Sequence, residues 1–539
     1  MSVRVADWLA RGLAGAGCRI AFGIPGGEVV TVIDALDQAG IEVVVPRQET
    51  AGGFMAEGVW HTTGAPGILV ATLGPGAANT VNAAANALQD RVPLIILTGS
   101  VDPAERISFT HQVIDHRAML APVVKASFDV VPGAAAATIA KALQLATQHP
   151  PGPVHLDLPV SVAALPEPKV AWADRPRVTA MVPANGALAA ARAVLSRATR
   201  PLAIAGLEVL THDAVPAVQG FLAATGVPLI TTYKAKGVVA EDQAGVIGAG
   251  GLSPKADRVL LPLIAEADVI VLIGYDPIEM RAGWRHPFRA DQTVIELAGS
   301  IADHGMHRAD HVFVGDLSAM LTALAVAPAT TRWPAGQPGA ARAALRQAFQ
   351  PTAAWGPGAA FATLGEALSD DAIVTIDSGA HRILLSQMWQ ARLPRRVLQS
   401  SGFCTMASAV PLAIGAAVGD RLAGRTRPVV AVVGDGGLEM GLGELATVRD
   451  CGLPVVVFVM VDGALALIEM KQRALGLARR AVDLGRTDFA AIADAYGGAG
   501  TTVATTSDLA IALSAALRRT DRFSLIACTL PDRAYDGTF

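Results

Sequence analysis

Short runs of apolar, often β-branched residues recur along the whole chain, and each run is bounded by Gly, Pro or Asp. Clear examples are GILVATLG (67–74), PLIILTG (93–99), ADVIVLIG (267–274), RPVVAVVGDG (427–436) and PVVVFVMVDG (454–463). Their hydrophobicity is continuous rather than alternating, which is typical of strands covered on both faces and therefore of parallel sheets. Ala- and Leu-rich segments with helical spacing separate the runs, so the pattern predicts an α/β fold throughout.

Two stretches break this alternation of strands and helices. Residues 165–183 are rich in Pro and charge, and residues 327–358 contain repeated Pro, Gly and Ala. Both compositions predict linkers. They divide the chain into three domains, 1–165, 184–326 and 358–539, each long enough for a mostly parallel sheet flanked by helices. The first and third domains are expected to be similar doubly wound sheets, with a central sheet between them.

Composition and charge exclude several classes of function. The chain has 539 residues, 52% of them apolar, but no apolar run approaches the roughly 18 residues that span a bilayer. The N-terminus lacks the apolar core and cleavage site of a signal peptide. The net charge of −4 is scattered, which gives no basic surface for nucleic acid. Cys18, Cys404, Cys451 and Cys528 form no CxxC pair, which argues against structural zinc or disulfides and predicts a reducing cytoplasm.

Two acidic residues stand at the ends of neighbouring apolar strands. Asp435 lies between Gly434 and Gly436 after one strand, and Asp462 follows the next strand 27 residues later. Parallel strands joined by a helix bring both carboxylates to the same sheet edge, where open α/β sheets bind ligands. Backbone N–H groups at the helix start can bind an anion and the carboxylates a cation, which suits a magnesium–phosphate ligand. The alternative is that GDG is a plain turn and VDG a hairpin.

The spacing of these acids resembles the thiamine diphosphate motif of decarboxylases and carboligases. GDG is followed, after 25 residues, by Asp462, and Val461-Asp462 stands where that family usually has Asn-Asn. Aspartate at this position is similar to catabolic acetolactate synthases. The resemblance implies that Mg²⁺ is held by Asp435, Asp462 and the main-chain carbonyl of Ala464, with the diphosphate of the cofactor completing the coordination.

The resemblance to acetolactate synthases extends over nearly the whole chain. The matching segments are AFGIPGGEVVTVIDAL (21–36), VPRQETAGGFMAEG (45–58), ATLGPGAANTVNAAANALQDRVPLIILTG (71–99), THQVIDHRAMLAPVVK (110–125), IDSGAHRI (376–383) and SSGFCTMASAVPLAIGAA (400–417). The resemblance implies a pyrimidine-binding first domain, a central domain and a diphosphate-binding third domain. The residues that it implies contact thiamine diphosphate are Pro25, Gly26, Gly379, Ala380, His381, Thr405, Met406, Gly434, Gly436, Gly437, Ala464 and Leu465.

Three of the matched residues are implied to be catalytic. Glu49 would hydrogen-bond N1′ of the aminopyrimidine, and an apolar surrounding would help its carboxyl group share a proton. Met406 would lie beneath the cofactor and force its two rings together. Gln112 would hydrogen-bond the substrate carboxylate or the enamine oxygen. By residue type alone, Glu49 is typical of a surface acid and Met406 of core packing. His111 and His116 either move protons or pack, and they do not form the adjacent His-His pair of pyruvate decarboxylases.

The resemblance implies a decarboxylating carboligase that acts on a small 2-oxo acid. Acetolactate synthase, which joins two pyruvate molecules, is the first expectation. Benzaldehyde lyase-like and sulfoacetaldehyde acetyltransferase-like carboligases are alternatives, because Phe403, Cys404 and ALALI (464–468) depart from the catabolic pattern at the implied pocket. A regulatory paralogue without turnover is a third possibility, which Glu49 and the acid pair argue against.

The resemblance also carries expectations about a second cofactor and about subunits. The central segment IAGLEVL (204–210) lacks the GGG turn through which anabolic relatives bind FAD, so no FAD is expected. Family precedent implies that Glu49 of one subunit meets the metal site of another. The expected assembly is therefore a homodimer or homotetramer, without nucleic acid or membrane as a partner.

Overall fold

Three six-stranded sheets account for the strands in the described part of the chain. The structure is a computed structural model that describes residues 3–168, 185–301 and 304–539. Every strand pair in the three sheets is parallel, and helices flank each sheet. The predicted α/β class and the three parallel sheets are therefore confirmed. Most of the first predicted linker, 165–183, falls outside the described residues.

The first sheet has the strand order β2-β1-β3-β4-β6-β5. Its strands are β1 (Ile20–Ile24), β2 (Glu42–Val44), β3 (Gly67–Ala71), β4 (Leu94–Ser100), β5 (Ala126–Asp129) and β6 (Pro153–Pro159). The helices of this domain are α1 (Val5–Gly15), α2 (Val30–Gln38), α3 (Glu49–Thr63), α4 (Pro75–Asn79), α5 (Val81–Gln89), α6 (His116–Leu120), α7 (Ala135–Thr147) and α8 (Val160–Ala164).

The central sheet has the order β12-β11-β10-β7-β8-β9, in which the two halves of the domain run outward from β7 and β10. Its strands are β7 (Pro201–Ala205), β8 (Leu229–Thr232), β9 (Val246–Gly250), β10 (Val269–Ile273), β11 (Thr293–Ala298) and β12 (His311–Val314). Its helices are α9 (Gly186–Arg197), α10 (Glu208–Thr211), α11 (Val215–Thr225), α12 (Pro254–Glu266) and α13 (Leu317–Leu324).

The second predicted linker, 327–358, is not a plain connection. It contains a helix, α14 (Gln337–Ala348), whose Ala341 and Leu345 are buried in the apolar core beside the central sheet. Gly336 is the N-cap of this helix and Pro338 lies in its first turn, where neither residue interrupts the hydrogen-bond ladder. The connection between the domains therefore contains a helix that its composition does not predict, because Gly and Pro at a helix start do not break it.

The third sheet has the order β14-β13-β15-β16-β18-β17, which repeats the order of the first sheet as predicted. Its strands are β13 (Ile373–Ile376), β14 (Val397–Gln399), β15 (Val429–Gly434), β16 (Val456–Val461), β17 (Ala499–Val503) and β18 (Ser524–Thr529). Its helices are α15 (Pro357–Ala367), α16 (Ala380–Met388), α17 (Ala409–Leu422), α18 (Asp435–Met440), α19 (Glu444–Asp450), α20 (Ala466–Ala474), α21 (Phe489–Ala495) and α22 (Thr506–Arg518).

Helices α3 and α17 join the first and third domains at close range. A methyl group on Gly58 would overlap the carbonyl oxygen of Leu412, and one on Gly415 would overlap the carbonyl oxygen of Met55. The glycines therefore let the two backbones touch. A single apolar core contains residues of both domains, for example Phe22 of β1 and Val457 of β16.

The crossing of α3 and α17 can be tested by a methyl group. Gly415→Ala should reduce the free energy of unfolding by about 2 kcal/mol or more, because neither backbone can retreat without opening the shared core. Gly220 is the matched control, since it lies exposed within α11 and a methyl group there meets no atom within 4 Å. Gly220→Ala should be neutral or stabilising by about 0.5–1 kcal/mol. Equal thermal midpoints for the two variants would contradict the close packing of α3 and α17.

No helix in the three described ranges is long and apolar enough to cross a membrane.

Candidate active site

The two predicted acids lie together at the carboxyl edge of the third sheet. Asp435 is the first residue of α18 directly after β15, and Asp462 directly follows β16, the parallel neighbour of β15. The Asp435 carboxylate accepts the N–H groups of Gly436 at 2.8 Å, Gly463 at 2.7 Å and Asp462 at 3.1 Å. Asp462 accepts the N–H of Ala464 at 3.2 Å. VDG is thus a strand-to-helix turn and not a hairpin.

Burial shapes the electrostatics of this pair. Desolvation raises the pKa of Asp435, and desolvation together with the neighbouring Asp435 charge raises the pKa of Asp462 to about 7. Both shifts mean that two negative charges are costly here in the absence of a compensating cation. Carboxylate and carbonyl oxygens at a strand edge are the donors that Mg²⁺ prefers. The donor set therefore fits a divalent cation.

Predicted cofactor contacts of the third domain converge on Gly436. A methyl group on Gly436 would lie 3.1 Å from Leu484, 3.3 Å from Leu465 and 4.0 Å from Met406. Met406 and Leu465 therefore stand together beside the acid pair, although they are 59 residues apart in the chain. A side chain larger than hydrogen at Gly436 would enter this space.

A buried acid that sequence reasoning missed, Asp377, fixes the loop that carries Met406. Its carboxylate accepts the N–H of Ala407 at 2.9 Å and the N–H of Ser408 at 2.8 Å, and a methyl group on Gly437 would overlap it. Burial raises its pKa. Asp377 follows β13 directly, so it was detectable as a third strand-end acid beside Asp435 and Asp462.

His381 is buried beside the turn that precedes Asp435. Gly379 is the N-cap of α16, which begins Ala380-His381, and a methyl group on Gly434 would lie 3.3 Å from the His381 ring. The ring is buried, and in the described part of the chain its Nε2 has no hydrogen-bond partner. Burial lowers the pKa of His381 to about 3, so the ring is neutral. An unpaired buried ring nitrogen beside a glycine turn marks a position for a polar ligand group.

Glu49 is the first residue of α3, and it is buried rather than on the surface. Only 6% of it is exposed, and its carboxylate accepts the Asn79 side chain at 2.9 Å. A methyl group on Gly76 would lie 3.3 Å from Glu49 Oε1. Asn79 was not predicted to belong to the site. Its only signal was its position in the GPGAAN turn after β3.

Pro25 and Gly26 follow β1, at the same sheet edge as the turn after β3. A methyl group on Gly26 would overlap Thr72, whose hydroxyl donates to Glu28 at 2.6 Å. This close approach explains the glycine without any ligand. Thr405, in contrast, links two domains, because its hydroxyl donates to Asn82 of α5 at 3.0 Å.

Gln112 and His116 both contact Gly74. Gln112 has φ +58°, and its carbonyl oxygen would lie 2.6 Å from a methyl group on Gly74. The N–H of Gly74 donates to His116 Nε2 at 3.0 Å, and His116 Nδ1 lies 3.0 Å from Asp157. The proton of this buried ring is therefore on Nδ1, with both nitrogens engaged. His111 is exposed, with its ring 6.2 Å from that of Phe109.

A cavity of about 510 Å³ lies beside the start of α3. Thr50 and Asn79, the neighbour and the partner of Glu49, are on one side, and Phe403 of the Met406 loop is on another. Most of its remaining lining is apolar, with Val81, Ala85, Leu88, Pro122 and Val123. Phe403 is 40% exposed. The two residues that depart from the catabolic pattern, Phe403 and Cys404, therefore lie on an accessible loop.

Comparison with known proteins agrees with this arrangement of domains. Models of the thiamine pyrophosphate enzyme family match the N-terminal TPP binding domain over 3–119, the central domain over 188–324 and the C-terminal TPP binding domain over 377–528. A crystal structure of a protein from Mycobacterium smegmatis, assigned as a thiamin diphosphate-dependent enzyme, superposes with a TM-score of 0.82 at 22% identity, covering 98% of this chain and all of that one. The latter supports the fold alone.

Curated relatives narrow the class of protein. Acetolactate synthase of Bacillus subtilis is 29% identical over 91% of this chain and 86% of its own length. The isozyme 1 large subunit of Escherichia coli acetolactate synthase is 30% identical over 87% and 83%, respectively. The chain belongs to the thiamine pyrophosphate enzyme family. It is a thiamine diphosphate-dependent enzyme of the carboligase and lyase type, similar to acetolactate synthases.

Proposed function

We propose that this enzyme is an acetolactate synthase, which joins two pyruvate molecules into 2-acetolactate with loss of CO₂. The observation that carries the proposal is the buried acid Glu49 in a chain that also holds the Asp435–Asp462 pair, within a sequence similar to acetolactate synthases over most of its length. Retention of all three acids, with Glu49 and Asp435 buried and Asp462 partly buried, argues against a paralogue without turnover.

The residues of the third domain would hold the cofactor and its metal. Mg²⁺ would be bound by Asp435, Asp462 and the carbonyl oxygen of Ala464, since it prefers oxygen ligands shared with phosphate. His381 and the N–H groups that follow Gly434 would bind the diphosphate. Thiamine diphosphate, when bound, supplies the carbon nucleophile and the electron sink that decarboxylation requires.

The other site residues would control protons, orientation and water. Glu49, buried and held by Asn79, would share a proton with the cofactor's pyrimidine ring. Met406 would exclude water from the reacting atoms and fix the conformation of the cofactor, and Gln112 would hydrogen-bond the substrate carboxylate. Both ring nitrogens of His116 are engaged and His111 is exposed, so neither histidine is placed to donate a proton during the reaction. Without such a donor, release of an aldehyde is disfavoured and formation of a second C–C bond is favoured.

Two further parts of the proposal concern the assembly. We infer that the active site forms between two copies of the chain, with Glu49 from one and Asp435 from the other, in a homodimer or homotetramer. FAD is not expected in the central domain. The inference rests on family resemblance. Recovery of activity when an inactive Glu49 variant is mixed with an inactive Asp435 variant would support this subunit arrangement.

One observation favours a second candidate function. Phe403, in the loop that leads to Met406, has an aromatic ring that is 40% exposed. Such a side chain near the cofactor suits a large apolar or aromatic acceptor better than a second pyruvate. A benzaldehyde lyase-like carboligase with the same cofactor is therefore the alternative.

Incubation of the purified protein with pyruvate, thiamine diphosphate and Mg²⁺ tests the proposal. We expect release of one CO₂ and formation of one 2-acetolactate for every two pyruvates consumed, measured by gas evolution and product mass. Cleavage of an aromatic acyloin without acetolactate formation would favour the second candidate. Absence of both reactions in a protein that binds the cofactor would refute a carboligase function.

A further inference from the structure

A buried ion pair connects all three domains at the base of the Met406 loop. Asp90, next to the end of α5, belongs to the first domain, and Lys234, directly after β8 and Tyr233, belongs to the central domain. Lys234 Nζ lies 2.9 Å from Asp90 Oδ2. The exposed fractions are 6% for Lys234 and 1% for Asp90, so both charges are desolvated. The attraction within a buried ion pair offsets the cost of desolvation only when the geometry is good and further hydrogen bonds are made.

Asp90 binds the third domain with the same carboxylate. Its Oδ1 accepts the N–H of Gly402 at 2.7 Å, and its Oδ2 accepts the N–H of Ser401 at 3.1 Å. Both amides lie in the loop that leads to Met406. The ammonium group of Lys234 therefore balances the carboxylate that clamps this loop.

A second set of hydrogen bonds runs parallel to the first. Glu57, whose Oε1 lies 3.8 Å from Lys234 Nζ, accepts the Asn86 side chain at 2.8 Å. Asn86 in turn accepts the Ser400 hydroxyl at 2.6 Å, and that hydroxyl accepts the N–H of Thr405 at 3.0 Å. The ammonium group of Lys234 therefore lies close to the carboxylates of Asp90 and Glu57. Asp90 holds residues 400–405 directly, and Glu57 holds them through Asn86.

Lys234 is itself placed by a buried acid of the central domain. The N–H of Lys234 donates to Glu279 Oε1 at 3.1 Å, and the N–H of Leu207 donates to Glu279 Oε2 at 3.3 Å. Glu279 is the last residue of GYDPIE (274–279) and is 4% exposed. The backbone of Lys234 is therefore held within the central domain, and its side chain extends to the carboxylates of the first domain.

We propose that Lys234 is a positioning residue for the reaction: through Asp90 and the Glu57–Asn86–Ser400 bonds it fixes the loop 400–405, and thereby the position of Met406 against Gly436. The inference rests on the proposed function, in which Met406 contacts the cofactor. On the far side of Met406, Asp377 already holds the next two amides. Met406 therefore stands between two anchored ends, and only the first depends on a residue of the central domain.

Removal of the ammonium group should release the first end. Asp90 and Glu57 would then be neighbouring buried acids without a cation, and they would relieve the cost by binding protons. A protonated Asp90 offers fewer acceptor positions to Ser401 and Gly402. Because a shift of about 1 Å at a reacting group can cost on the order of 100-fold in rate, a small movement of Met406 should be visible in kcat.

The chain supplies a matched control two residues away. Lys236 is also buried, and both oxygens of Glu241 lie 2.8 Å from its Nζ. Glu241 accepts the N–H of Ala391 at 2.8 Å, which lies in a different part of the third domain. Lys234→Met and Lys236→Met therefore each remove the cation from a buried carboxylate that accepts backbone N–H groups of the third domain, but only Lys234 faces the carboxylate that holds the Met406 loop.

The experiment compares both variants with the unaltered full-length enzyme. Hydrogen exchange of the amides in residues 400–408, without cofactor, should become faster in Lys234→Met and not in Lys236→Met. With saturating thiamine diphosphate, Mg²⁺ and pyruvate, kcat should fall about 10- to 100-fold in Lys234→Met only, with little change in KM. The near-ultraviolet circular dichroism of the bound cofactor should change in the same variant only.

The outcomes separate this proposal from the proposed function. Equal exchange of residues 400–408 in the two variants, or an equal fall of kcat in both, would overturn the positioning role. If Lys234→Met does not fold, Lys234→Arg and Asp90→Asn take its place in the comparison. Partial recovery of exchange protection in Lys234→Arg, relative to Asp90→Asn, supports the positioning role. No recovery refutes it. A wild-type enzyme that makes no acetolactate would refute the proposed function, whereas the exchange result would still decide the placement of the loop.

Discussion

Glu49→Gln should reduce turnover at least about 100-fold, the scale of a lost proton-transfer group, while the affinity for thiamine diphosphate stays close to that of the wild type. Gln has the same shape, and its amide oxygen can still accept the Asn79 side chain that holds Glu49 at 2.9 Å. Only the ability to hold and release a proton is removed. Steady-state kinetics with pyruvate and calorimetric titration with the cofactor measure the two quantities separately.

Glu42→Gln is the control for this change. Glu42 is a glutamate of the same domain with 55% of its side chain exposed, so the substitution should leave both measurements unaltered. Unchanged turnover in Glu49→Gln would remove this carboxyl group from the mechanism. A parallel loss of cofactor affinity would instead show that Glu49 acts through structure.

Asp462→Ala should weaken binding of thiamine diphosphate by at least about 10- to 100-fold, the range for disturbance of a metal centre. Asp435 would remain, but the cation would lose one of its two carboxylates. Removal of Mg²⁺ from the wild-type enzyme with a chelator should produce a similar loss, and excess Mg²⁺ should restore binding to the wild type far better than to the variant. Calorimetric titration of the cofactor at several Mg²⁺ concentrations gives all of these values.

Asp521→Asn serves as the comparison for the metal site. Asp521 is an acid of the same domain with 71% of its side chain exposed, and its replacement should not alter cofactor binding. If cofactor affinity in the wild type does not depend on Mg²⁺, or Asp462→Ala binds as tightly as Asp521→Asn, the two acids do not form a metal site.

Most of the fold was predictable from local patterns. Continuous apolar runs such as 427–436 become buried parallel strands, because both faces of the sheet are covered by helices. Helix α14 was missed, since Gly336 and Pro338 were counted as linker residues. They are compatible with a helix start, and burial of Leu345 against the central domain stabilises the rest. The effect of Gly and Pro depends on their position within a helix, and the composition of a segment does not record that position.

The site was predictable where its residues follow strands and was missed where they pair over long distances. The proximity of Asp435 and Asp462 was predictable from their spacing alone, and the position of Asp377 at a strand end could have been predicted in the same way. The Lys234–Asp90 pair joins residues 144 positions apart in separate domains, and no local pattern marks it. The buried state of Glu49 also depends on the packing of α3, which the surrounding letters do not reveal.

The close contact of α3 and α17 has a consequence for synthesis of the protein. About 350 residues separate the end of α3 at Thr63 from the start of α17 at Ala409, so at roughly 5–20 residues per second the ribosome delivers α17 on the order of 20–70 s after α3. Throughout that time the nascent first domain exposes the glycine-lined face that α17 will cover. Chaperones that shield apolar surface on emerging chains would act at this face, and a pause in translation before α17 would lengthen the exposure.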